Sequence, residues 1–135
     1  MTGETVKVAW VSRHSPLPVQ IETLKQKLGE IEIVQISKTF TDYREILNAV
    51  KSTGAKYAVV VLPLSLIAQI VQDKSITWLF ARMQGLHECL GPEKCPEFDP
   101  TRDVWLPLHG SDKGRHMRFE RFEKIVKVEM VTEPF

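Results

Sequence analysis

Three short stretches of this 135-residue chain carry side chains able to do chemistry. Ser12-Arg13-His14-Ser15 places a guanidinium, an imidazole and two hydroxyls in consecutive positions. That set offers a fixed cation, a group that exchanges protons near neutrality, and two hydroxyl donors for a phosphate oxygen. In Leu62-Pro63-Leu64-Ser65, Ser65 stands at a helix start, where its hydroxyl and backbone N–H suit either an N-cap or a phosphate. His87-x-Cys89-x5-Cys95 supplies three soft ligands, with His109 or His116 as a fourth partner for tetrahedral zinc. The spacing lacks the paired CxxC elements of a zinc ribbon, so two ordinary reduced thiols are the preferred reading and no metal or other cofactor is expected. A more diffuse stretch, residues 113–127, interleaves Lys113, Arg115, His116, Arg118, Arg121, Lys124 and Lys127 with Phe119 and Phe122. Cation and aromatic interleaving suits a phosphate-rich ligand or a single strand of nucleic acid. Asp112, Glu120 and Glu123 dilute it, and a solvated strand face is the preferred reading.

The elements that position these residues follow from hydrophobic period and punctuation. Residues 7–12 (KVAWVS) form a short apolar run closed by Pro16 and Pro18, hence a strand and then a loop. Pro18 suits a first helical turn, Val19, Ile21, Leu24 and Leu28 recur at helical spacing, and Gly29 is a fitting C-cap. Residues 31–36 (IEIVQI) alternate and are β-branched, as in a strand near a sheet edge. Thr41 is expected to cap a second helix with apolar face Tyr43, Ile46, Leu47 and Val50, ending at Gly54. Residues 57–62 (YAVVVL) are apolar throughout, which predicts a strand covered on both faces and central in a parallel sheet. Residues 66–71 read as a short third helix, and 76–83 as a fourth strand with Trp78, Phe80 and Arg82 on one face.

Strands alternating with helices predict an α/β fold: a three-layer, Rossmann-like domain over residues 1–135 with a mainly parallel sheet. Residues 84–114 are punctuated by Gly85, Gly91, Pro92, Pro96, Pro100, Pro107, Gly110 and Gly114 and read as an irregular insertion in which only 104–108 is extended. Residues 121–132 place Phe122, Val126, Val128 and Met130 on one parity, which predicts a final edge strand. In open α/β sheets ligands bind beyond the carboxyl ends of the strands, so residues 12–15 are the main candidate site and Ser65 the second.

Bulk properties narrow the function classes. Lys plus Arg total 18 against 17 Asp plus Glu, so net charge gives no general attraction to duplex nucleic acid or to an anionic membrane. No apolar run reaches the roughly 20 residues of a membrane span, and residues 1–4 open polar rather than as a signal peptide, so a cytoplasmic location is expected. There is no GxGxxG after the first strand, no GxxxxGK[ST] and no GxSxG, which argues against a standard dinucleotide site, a P-loop NTPase and a serine hydrolase elbow.

A first strand ending in Val11-Ser12-Arg13-His14, with a later buried strand running into Leu62-Pro63-Leu64-Ser65-Leu66-Ile67-Ala68, resembles the small CRISPR-associated Rossmann-like (CARF-like) proteins of type III systems, ring nucleases among them. The resemblance extends to about residue 80 and is specific at the two motifs; Ser15-Pro16 follows His14 in place of Pro-Gly. It implies a homodimer that binds cyclic oligoadenylate across its two-fold axis and, in active members, cleaves it without metal. A ribose 2′-hydroxyl would attack its own phosphodiester, with Arg13 stabilising the developing charge and His14 or Ser15 assisting proton transfer. Ser12, Arg13, Pro63 and Ser65 would hold the ligand. Arg13-His14 is also similar to the RHG motif of the histidine phosphatases, with His14 as phosphate acceptor and Ser15 in place of the glycine. A third reading is non-enzymatic: an interaction or regulatory module of a mobile element, using residues 84–114 as its binding surface.

Overall fold

The computed structural model of the protein describes residues 5–95 and 97–135; the polar opening (residues 1–4) and Pro96, one of the punctuating prolines, lie outside them. The fold is mixed α/β. In chain order the elements are β1 (Val6–Val11), α1 (Pro18–Leu28), β2 (Ile31–Gln35), α2 (Tyr43–Ser52), β3 (Tyr57–Val60), α3 (Leu64–Ile70), β4 (Thr77–Cys89), a 3₁₀ turn (Pro92–Lys94), β5 (Asp103–Pro107) and β6 (Gly114–Lys124). They form two compact units, one comprising the described parts of Met1–Ser15, Gly29–Phe80 and Glu123–Phe135, the other Pro16–Leu28 and Ala81–Phe122.

In the first unit β1 lies between β2 and β3, β3 lies between β1 and the first residues of β4, and every one of these pairings is parallel. The all-apolar β3 is therefore central and the alternating β2 ends the row, as their compositions predict. Side chains alternate across a strand, so Ala9 and Val11, Ala58 and Val60, and Trp78 share one face. That face packs with Ile46 and Val50 of α2 and Ile67 and Ile70 of α3 in a single buried cluster. Val8, Trp10 and Val59, on the other parity, are buried as well.

Asp42, one residue later than expected, caps α2: its backbone is extended and its carboxylate accepts from the Arg44 N–H at 2.8 Å. The carboxylate satisfies one of the four N–H groups a helix start leaves unpaired. Gly29, directly after α1, and Gly54, after the Thr53 cap of α2, take φ of +82° and +80°, the left-handed conformation that ends helices cheaply for glycine. α3 starts at Leu64 with Pro63 in the cap position and no side-chain cap, so Ser65 is not an N-cap.

The strand expected over 121–132 is displaced. β6 ends at Lys124, and residues 125–135 are not strand. Ile125 donates its N–H to the Trp78 carbonyl at 2.8 Å and, with Val128, packs on the core of the first unit, whereas Val126 and Met130 are exposed. The apolar parity there does not mark a buried strand face.

In the second unit α1 opens as its sequence predicts, at Pro18. The Leu17 N–H donates to Gln20 Oε1 at 2.8 Å, one half of a capping box, and the Val19 N–H is taken by the Thr101 carbonyl at 3.0 Å. The expected irregular insertion is largely sheet. β4 continues to Cys89, β6 lies between β4 and β5, and β5 and β6 form an antiparallel ladder from Asp103↔Arg118 to Pro107↔Gly114. Arg82 faces Glu120 and His87 faces His116, so β4 and β6 run in opposite directions. Polar residues such as Gln84, His87 and Glu88 hide the strand because they stand exposed on it. β5, not the last strand, ends this row.

Cys89 and Cys95 are joined in a disulfide, which corrects the expectation of reduced thiols. The 3₁₀ turn, closed by bonds from Lys94 N–H to the Gly91 carbonyl and from Cys95 N–H to the Pro92 carbonyl, folds the intervening chain and leaves the two Cα atoms 5.5 Å apart. That separation is inside the window a disulfide requires. Among the described residues, no helix is long and apolar enough to cross a membrane.

Candidate functional site

A cleft of about 310 Å³ opens in the first unit at the carboxyl ends of β1, β2 and β3, lined by residues 11–14, 38–40 and 61–63. The chain goes from β1 to β2 on one side and returns to place β3 on the other, so strand order reverses at β1. At such a switch point the loops leaving adjacent strands diverge and open a crevice.

The loop after β1 is held by its backbone and by neighbouring polar groups. The Ser12 hydroxyl accepts from the His14 N–H at 3.1 Å, the Trp10 indole donates to the His14 carbonyl at 2.8 Å, and the Gln35 amide donates to the Ser12 carbonyl at 3.1 Å. The Arg13 and His14 side chains are exposed at the cleft. Arg13 donates to the hydroxyl of Thr39, linking the loops that follow β1 and β2. Lys38 lies over the Phe40 ring with its ammonium 5.7 Å from the centroid. Neither Arg13 nor Lys38 pairs with a carboxylate among the described residues, and none of the ten lining residues is acidic. In a chain of formal net charge +1, this is a local excess of cation beside apolar Val61, Leu62 and Pro63.

Of the sequence candidates, Ser12, Arg13, His14 and Pro63 line this one cleft. Ser15 and Ser65 do not line the cleft: the Ser15 hydroxyl donates to Gln35 Oε1 at 3.4 Å, and Ser65 is exposed on the first turn of α3. Lys38, Thr39 and Phe40 are additions from the structure. Their signal was present in the sequence, since they follow a strand just as residues 12–15 do, but alternating β2 looked like an edge rather than a wall of a site.

No family model, curated protein or solved structure matches this chain. Its sites are read from their own chemistry.

A second polar constellation lies in the second unit. Asp103, fully buried, accepts from His116 Nε2 at 2.7 Å, from Arg118 Nε at 2.9 Å and from the Asp99 N–H at 2.8 Å. Burial pushes the Asp103 carboxyl up, but the Arg118 guanidinium, the Asp99 N–H and His116 together outweigh it and hold the group well below the usual carboxylate range. His116, also fully buried, places Nδ1 3.0 Å from His87 Nε2, and its ring lies 5.2 Å from that of Phe98. Cys95 adjoins the two imidazoles, and the ligand atoms of His87, Cys95 and His116 lie within 4.8 Å of one another. His109 is exposed in the turn between β5 and β6 and is not part of this group. The basic stretch along β6 is divided by pairing: Arg118 to Asp103, Arg121 to Glu120 and, beyond the strand, Lys127 to Glu129. Partnered charges on a strand fit the solvated-face reading rather than a nucleic-acid track.

Proposed function

We propose that the chain binds a phosphate-bearing nucleotide in the strand-end cleft, and that the ligand is of the cyclic oligoadenylate class implied by the two strand-end motifs. One observation carries the reading: Arg13 and Lys38, without carboxylate partners among the described residues, flank an apolar crevice where the strand order reverses. A phosphodiester needs cations and hydroxyl donors, which Arg13, Lys38, Ser12 and Thr39 offer; a base needs apolar surface, which exposed Val61 and neighbouring Pro63 offer. The cleft volume is at the low end of the roughly 300–1,000 Å³ range of ligand sites and suits one nucleotide unit. A ring of several units is then shared with the same cleft of a second copy, which makes the functional form a homodimer. The three-layer Rossmann-like arrangement belongs to the same proposal and is supported by the parallel β2-β1-β3-β4 row.

For cleavage, Arg13 would stabilise charge on the phosphodiester and His14 would move the proton; Ser15, bonded to Gln35 outside the cleft, leaves the set. The test is calorimetric titration with cyclic tri-, tetra- and hexaadenylate in EDTA, with AMP and inorganic phosphate alongside, followed by chromatography of the ligand. The expected result is saturable binding of one ring per two chains, weakened at least about tenfold in Arg13→Ala and Lys38→Ala, a loss of roughly 1.4 kcal/mol or more. Linear products that vanish in His14→Ala would identify a metal-independent ring nuclease; binding without products would identify a sensor. Absence of ring binding by the folded protein overturns the proposal.

A further inference from the structure

The buried group around His116 is chemically distinct from the strand-end set: it brings His87, Cys95 and His116 together, and Cys89 is held beside them through its bond to Cys95. His87 and Cys89 come from β4, Cys95 from the end of the 3₁₀ turn and His116 from β6. Two sulfurs and two imidazole nitrogens are the donor set of a tetrahedral Cys2His2 zinc site. We propose that this cluster is a redox-gated Zn²⁺ site, closed as the Cys89–Cys95 disulfide and open to the metal when that bond is reduced.

The distances make the exchange a small movement. Bonds of about 2.0–2.1 Å from zinc to nitrogen place tetrahedral nitrogens about 3.3 Å apart, and the two imidazole nitrogens already face each other at 3.0 Å. Bonds of about 2.3 Å to sulfur place two thiolates about 3.8 Å apart, within reach of side chains on Cα atoms separated by 5.5 Å. The widest separation among His87, Cys95 and His116 is 4.8 Å and must close by about 1 Å.

A second observation points to a metal. Asp103 only accepts, so the hydrogen on His116 Nε2 points to it, and Nδ1 is the nitrogen left facing His87. A carboxylate fixing the far nitrogen of a histidine is the usual outer support of a metal-bound imidazole. Arg118 and the Asp99 N–H in turn fix Asp103, and the Trp105 indole fixes the Cys89 carbonyl at 3.0 Å. The shell is preorganised in the oxidised form.

The chemistry balances with a dithiol reductant. One of its thiolates attacks the Cys89–Cys95 bond, its second thiol resolves the mixed disulfide, and the two electrons leave the reductant as its own disulfide while Cys89 and Cys95 become thiols. Zn²⁺ then binds both sulfurs, whose two protons go to water, and takes the place of the hydrogen between His87 Nε2 and His116 Nδ1, which moves through water to His87 Nδ1.

The experiment uses the full chain, oxidised and reduced with a phosphine, titrated with Co²⁺ under absorption spectroscopy and with Zn²⁺ under native mass spectrometry. The reduced protein should take one metal per chain, with a thiolate-to-Co²⁺ charge-transfer band and tetrahedral ligand-field bands, and the oxidised protein none. His87→Ala, compared on protein shown by circular dichroism to be folded, should weaken Zn²⁺ binding at least about tenfold, and Asp103→Glu, which keeps a carboxylate behind His116, should bind more tightly than Asp103→Asn. His109→Ala should bind as the parent does. A folded, fully reduced protein that takes up neither metal overturns the proposal, and so does binding that survives in Cys89→Ser/Cys95→Ser or that is equal in the oxidised protein.

Discussion

The strand-end cleft and the His116 cluster handle charge in opposite ways. In the cleft, Arg13, His14 and Lys38 are exposed, the first two adjacent in sequence, and the two permanent cations lack carboxylate partners among the described residues. In the cluster, Asp103 and His116 are fully buried, thirteen residues apart, and satisfied by partners from two strands and a loop. A cation left unneutralised at a cleft raises affinity for an anion from outside. A buried carboxylate already surrounded by donors stabilises its own fold, because desolvation makes each of those partners costly to lose.

The largest test of that contrast is Asp103→Asn. It leaves Arg118 and His116 without their anion, and breaking a buried pair in this way costs about 3–5 kcal/mol, read as a lowered urea midpoint. The same carboxyl sets an acid limb. Its folded pKa is depressed, so below the ordinary value of about 3.9 the unfolded chain binds the proton more readily. The stability it supplies is whole above that value and is lost as pH falls toward the folded one. Asp73, lowered to about 2 by Lys51 and by Ser75, acts in the same direction and keeps a residual slope in the Asn variant. A urea midpoint for Asp103→Asn as steep in acid as the parent's would remove Asp103 from this role.

A middle effect is expected at Gly114. A Cβ there overlaps the Trp105 ring, and overpacking of this kind costs about 1–3 kcal/mol. Thermal melts of Gly114→Ala check it, with an added loss of the Trp105 bond to Cys89. The smallest stability effect belongs to the cleft: Arg13→Ala should stay within about 0.5 kcal/mol of the parent in urea while losing ring binding. An Arg13→Ala protein destabilised as severely as Asp103→Asn would mean that the cleft is structural and the contrast false.

How far each region is legible follows from its sequence range. β1, α1, β2, α2 and β3 could be read because their signals are local: Pro18 at a helix start, Gly29 and Gly54 after helix ends, and an unbroken apolar run in β3. The α2 cap was misread by one residue because Thr41 and Asp42 are both good caps, and only backbone conformation separates them. Arg13 and His14 were visible because two rare side chains follow a strand. Asp103 was not, since an aspartate beside Pro100 and Arg102 looks like a turn. Its partners are set by the β5–β6 register, which puts Asp103 opposite Arg118 and His116 two residues along the same face. Long-range register is not written in any local pattern, which is also why β4 was expected to stop at 83 rather than continue to Cys89.

The three tryptophans have a use beyond packing. Each indole N–H is committed to one main-chain carbonyl: Trp10 to His14 in the cleft loop, Trp105 to Cys89 at the disulfide, and Trp78 to Asp73 in the turn before β4. Indole emission responds to the hydrogen bond and polarity around the ring, so the chain carries its own optical gauges. With the other two replaced by phenylalanine in turn, Trp10 would report on the proposed ligand in the cleft and Trp105 on the state of the sulfurs, while the Trp78-only protein would serve as the control.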